Sequence, residues 1–77
     1  MERYEEELIQ RYLSSDDELR TIYTEHQTLK HQLEDLRRRA HLTGEDEVEM
    51  KRIQKLKLAS KDRLMAILSR HQHDRVQ

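Results

Sequence analysis

The first half of the chain carries an apolar stripe that advances by alternating fours and threes: Leu8, Tyr12, Ser15, Leu19, Ile22, His26, Leu29, Leu33, Leu36, Ala40. Heptad spacing of this kind places one seam on one helical face and suits knobs-into-holes packing. A second, more interrupted stripe runs Met50, Ile53, Lys57, Ser60, Leu64, Ile67, His71, with Leu56 and Leu68 on its flanks. Lys57 fits such a seam by burying its methylenes while its ammonium stays in water. Between the stripes lies the segment from Leu42 to Glu47, which holds the single glycine, Gly44; the chain has no proline. Gly44 is expected to end a helix in the left-handed conformation, and the acids that follow suit the positive N-terminal end of the next helix.

A second break is expected at Ser14 to Glu18, where Ser15 and Glu18 have the spacing of a capping box. Length supports it. A helix unbroken over 3–41 would run about 58 Å at 1.5 Å per residue, against about 39 Å for one over 46–71. The pattern therefore predicts one domain over 1–77 with helices at about 3–13, 17–41 and 46–71. The expected fold is all-α, an antiparallel coiled-coil-like hairpin with the short first helix folded against it. Its seam pairs Leu19, Ile22, His26, Leu29, Leu33 and Leu36 with Ile53, Leu56, Leu64 and Ile67.

Composition narrows the functional classes. At 77 residues, with 34% hydrophobic and 40% charged residues, the chain suits two-faced helices and excludes a thick core. It has no cysteine, so disulfides and thiolate metal sites are excluded. The acidic start and the lack of any apolar run near 20 residues point to a cytoplasmic protein with no membrane partner. The histidines have poor chelating spacing: His26 and His31 diverge by about 140° on a helix, and His71 and His73 by more. His26, inside the seam, is read as a register-fixing polar residue, with a pH-sensing role as the sharper alternative. There is no phosphate-binding glycine loop, no zinc-binding helix motif and little concavity, so no catalysis, cofactor, metal or small-molecule substrate is expected.

Charge is distributed unevenly. Met1 to Glu25 holds eight acids and three bases, Lys51 to Gln77 eight bases and two acids. The plain reading lays the acidic segment across the basic last helix, within or between chains. The alternative reading is a nucleic-acid or ribosome contact in which Arg37, Arg38, Arg39, Lys51, Arg52, Lys55, Lys57 and Lys61 meet phosphates. Against it, no aromatic residues interleave these bases, and Glu34 with Arg38, Asp35 with Arg39 and Glu47 with Lys51 have the spacing of ordinary helical ion pairs.

Leu8, Ile9, Tyr12, Leu13, Tyr23, Leu58 and Met65 are left as candidate partner contacts, since an isolated hairpin would cover them poorly. They point to a protein-interaction or assembly module, most simply a two-fold homodimer, with another protein as a further candidate partner.

Two blocks, His26-Gln27-Thr28-Leu29-Lys30-His31-Gln32-Leu33 and Ile53-Gln54-Lys55-Leu56-Lys57-Leu58-Ala59-Ser60-Lys61-Asp62-Arg63-Leu64, resemble in order and spacing the YdcH-like family of small bacterial helical proteins. The resemblance implies a helical fold and supplies no activity. Ser60 stands where that family has an apolar residue, which implies looser packing in the middle of the last helix.

Overall fold

In the computed structural model, residues 2–76 are described, with side chains to Gln72; His73 lies outside the described side chains. Three helices follow in order, α1 (Arg3–Tyr12), α2 (Asp17–Arg37) and α3 (Gly44–Val76), and α2 packs antiparallel on α3. The fold is the expected hairpin with a short helix folded on it.

The helix ends differ from the sequence expectation, each for a local reason. Ser15 does not cap α2. Asp16 does, its Oδ1 accepting the Leu19 N–H at 3.0 Å, because a carboxylate there meets an orphan amide and the helix dipole together. Gly44 does not adopt a left-handed conformation; no described residue has positive φ. It opens α3, and Thr43 supplies the cap: Thr43 Oγ1 accepts from the Asp46 N–H at 3.0 Å while Asp46 Oδ2 accepts from the Thr43 N–H at 3.1 Å. Thr43 and Asp46 thus form the capping box that begins α3 earlier than expected.

α2 stops at Arg37, four residues short of the expected His41, through a tightened last turn in which the Arg38 N–H is shared between the Glu34 and Asp35 carbonyls and the Arg39 N–H reaches Leu36 O. With Arg38 and Arg39 outside the helix, the expected pairs of Glu34 with Arg38 and Asp35 with Arg39 do not form. Arg38 faces Asp35 at 3.9 Å, and Arg39 crosses the hinge to Asp46 at 2.8 Å.

The core is two apolar clusters separated by a polar layer. At the end remote from the hinge, Leu8 and Ile9 of α1 join Leu19, Ile22, Leu64, Ile67 and Leu68, with Tyr12, Leu13, Tyr23 and Met65 packed on them. Toward the hinge, Leu29, Leu33, Leu36 and Ile53 form the second cluster, flanked by Met50. Between the clusters stand His26 and Ser60, both buried. Ser60 Oγ lies 2.8 Å from Lys57 O and 2.9 Å from His26 Nδ1; in the tautomer with the proton on Nδ1, the imidazole donates to Ser60 and the hydroxyl donates to the carbonyl. Ser60, where the resemblance implied looser packing, is 1% exposed; its small hydroxyl fits opposite the ring and meets it at hydrogen-bond distance.

Two further expectations are corrected. Leu56 is not a seam residue but 40% exposed, because Ile53, Ser60, Leu64 and Ile67 already define the buried line and Leu56 falls to one side of it. Leu8 and Ile9 are buried by their own chain, and Tyr12, Leu13, Tyr23 and Met65 are half-buried against the same cluster. The apolar group that motivated a homodimer is therefore used largely in folding α1 back.

Candidate functional site: an open groove at the hinge end

Helical periodicity sorts the surface. On α2, Tyr23, Lys30 and Arg37 stand seven apart, as do Lys51, Leu58, Met65 and Gln72 on α3. Residues at that spacing share a helical face. At the end remote from the hinge, α1 occupies the face that these two rows share. Tyr23 Oη donates to Glu6 Oε2 at 3.1 Å, Gln72 donates to the Tyr4 hydroxyl, and Met65 packs against the cluster that holds Ile9. Burial, and then the adjacent Glu6 carboxylate, push the Tyr23 phenol above its ordinary value.

The α1 connection is fastened at its other side by Asp16. While its Oδ1 caps α2, its Oδ2 lies 2.7 Å from His71 Nε2, and the His71 ring stacks on Tyr12 with centroids 4.0 Å apart. The Leu19 N–H, and then His71, hold the Asp16 carboxyl below its ordinary value. Two interhelical ion pairs, Arg70 with Glu18 at 3.2 Å and Arg63 with Glu25 at 3.9 Å, carry the acid-on-base complementarity of the two helices. The acidic first third of the chain thus meets the basic last helix within one chain.

Toward the hinge, α1 is absent and the same face is open. A groove of about 410 Å³ runs there between Leu33 and Arg37 of α2 and Met50, Lys51, Gln54 and Lys55 of α3. Half-buried Met50 supplies the apolar floor, with the fully buried Leu33 beneath it. Leu58, one turn beyond Gln54 on the same helix, is 54% exposed, at the boundary between the covered and open stretches. The side-chain oxygen Gln54 Oε1 is buried and has no hydrogen-bond partner among the described residues. A buried acceptor left without a donor is uncommon in a folded protein and calls for a specific reason.

The eight candidate phosphate contacts do not act as one patch. Arg38 pairs with Asp35, Arg39 with Asp46 and Arg52 with Glu49, and these pairs lie on or beside the opposite face, where Gln32, Asp35, Leu36, Arg39, Glu49, Arg52 and Ile53 line a shallow depression of mixed charge. The Thr43 N–H, and then Arg39, lower the Asp46 carboxyl; Arg52 lowers Glu49. Lys57 is half-buried beside the His26 layer, and Lys61 is half-buried further along α3. Arg37, Lys51 and Lys55 remain as the bases of the open groove, and none of them forms an ion pair among the described residues.

Sequence reasoning marked Leu58, Arg37, Lys51 and Lys55 but missed that they share one site with Leu33, Met50 and Gln54. The signal was present in the seven-residue rows; what hid it was the unknown reach of α1. Comparison with family models, curated proteins and solved structures finds no match to this chain. The resemblance to the YdcH-like family thus rests on the two sequence blocks alone.

Proposed function

We propose that this protein is a non-catalytic docking module of the cytoplasm, which recognises another protein by seating a helix in the open half of the α2–α3 face. The observation that carries this reading is the division of one continuous face into a half filled by α1 and a half left open. Helix-in-groove recognition needs an apolar floor with polar positions at its margins, and Met50 and Leu58, over the buried Leu33, with Arg37, Gln54, Lys51 and Lys55 meet that requirement. Among the described residues no helix is long and apolar enough to cross a membrane. The two-fold homodimer expected from the sequence loses most of its premise with Leu8 and Ile9 buried in their own chain. Nucleic-acid contact is weakened in the same way, since three of its eight bases are tied to carboxylates.

Photo-crosslinking in the native host tests the reading. A photoreactive residue at Leu58 is expected to give discrete protein adducts, whereas the same residue at Gln32, on the opposite face, gives none. Adducts that vanish on nuclease treatment would support nucleic-acid binding instead, and adducts with a second copy alone would restore the homodimer.

A further inference from the structure

Resting on the docking reading just given, the chemistry of the groove specifies its occupant: we infer that it takes an acidic amphipathic helix of a partner protein. Three observations converge on that choice. The first is charge. Arg37, Lys51 and Lys55 stand at the groove with no ion pair among the described residues, whereas their neighbours Arg38, Arg39 and Arg52 are each tied to a carboxylate. Bases left unpaired beside an apolar floor attract acids and repel other bases, so they select the partner and set its orientation.

The second is the example already seated on this face. α1 is an amphipathic helix that buries Leu8 and Ile9, and it presents Glu6 to Tyr23 at 3.1 Å. Glutamates stand at positions 2, 5, 6 and 7 of the chain. The covered half of the face therefore accepts a helix with aliphatic residues on one side and carboxylates at its margin, and the open half offers more positive charge than the covered half.

The third is Gln54. Its Oε1 is buried without a donor, and the residue lines the groove between Lys51 and Lys55 on α3. The atom has no exposed surface in the free chain, so a hydroxyl, amide or indole N–H on the incoming helix would satisfy it once the Gln54 side chain turns toward the groove. A second copy of this chain fits less well, because the exposed side of α1, with Arg3, Glu7, Gln10 and Arg11, offers only Tyr4 as an apolar contact for Met50 and Leu58, and the Tyr4 hydroxyl already accepts from Gln72.

The test uses the full chain and two helix-stapled peptides of the length of α1. Both carry the same leucine and isoleucine positions; one has glutamates at the flanks and the other lysines in their place. Fluorescence anisotropy should show the glutamate peptide binding at least about tenfold more tightly than its lysine twin, with the difference shrinking as salt rises. Reversing both exposed lysines, Lys51→Glu with Lys55→Glu, should exchange the two preferences without loss of helix by circular dichroism. Gln54→Leu should raise the melting temperature of the free chain, because the orphaned acceptor is gone, and should weaken binding of a glutamate peptide that carries a serine opposite it. Equal binding of both peptides, or tighter binding of the lysine peptide, overturns the inference while leaving the docking reading in place. Binding of neither overturns both. A sedimentation-equilibrium mass twice that of the chain, which returns to the monomer mass with Leu58→Glu, replaces the partner helix with a second copy.

Discussion

The two ends of the hairpin are built from the same seam yet finished differently. Remote from the hinge, α1 lies over α2 and α3, and the cluster it completes holds seven buried apolar residues, Leu8 and Ile9 of α1 among them, with Ile9, Leu19 and Leu64 fully enclosed. At the hinge, only two helices meet; four apolar residues are buried, of which Leu33 alone is fully enclosed, and the flank is an open groove beside Met50. A third helix converts a two-sided seam into an enclosed core, so the hinge end has less to lose from truncation and more surface to offer a partner.

The sharpest way to probe this difference is to truncate a leucine in each cluster. Leu64→Ala should cost about 3–5 kcal/mol, because its cavity is walled on all sides and cannot collapse, and Leu29→Ala nearer about 2 kcal/mol. Urea denaturation followed by circular dichroism compares them; equal losses would mean that α1 adds no enclosure.

The polar layer between the ends is the next test. Ser60→Ala removes the hydroxyl that partners His26 Nδ1 in a buried site and should cost about 1–3 kcal/mol, whereas Ser60→Ala together with His26→Leu should recover most of that loss. The pair also sets a pH dependence. Burial, the main cause, lowers His26 from its ordinary value of 6.5, so the unfolded chain takes up a proton at higher pH than the folded one. Stability from this group is complete above pH 6.5, declines as pH falls below it, and levels off under the folded value. Asp16, held below its ordinary 3.8 by the Leu19 N–H and His71, contributes stability above 3.8 that is lost as pH falls through its folded value. The double substitution should abolish the first decline and leave the second, which denaturation at a series of pH values would reveal.

Smallest is the expected effect of Gly44→Ala. A Cβ there meets nothing within 4 Å, and the glycine has no positive φ. Alanine should therefore stabilise the hinge end by about 0.4–1 kcal/mol by narrowing the unfolded ensemble. A thermal melt showing a loss instead would restore the left-handed turn that the sequence suggested.

Much of the fold is legible in the residues. Leu19, Ile22, Leu29, Leu33 and Leu36 repeat at heptad spacing and are all buried, because a helical period fixes which side chains share a face before any tertiary contact forms. The reversal between the two stripes is legible for the same reason. Leu56 was not, since its flanking position is compatible with burial on one side of a seam and exposure on the other. The capping was legible in kind and displaced in detail: Ser15, Asp16, Thr43 and Gly44 all offer plausible ends, and small differences in hydrogen bonding choose among them.

The sequence by itself determined three helices, their amphipathic faces, the reversal near Gly44 and the separation of acid from base along the chain, because these follow from periodicity and charge that each segment carries alone. Only the tertiary structure decided where α1 lies. Its fold-back buries Leu8 and Ile9, places Glu6 on Tyr23 and stops short of the hinge, so that Leu33, Met50, Gln54, Arg37, Lys51 and Lys55 are left as an open groove. The reason is physical: an apolar stripe states that a helix must be covered, but it does not state by what, and that choice depends on the competition among surfaces that meet only once the chain has folded.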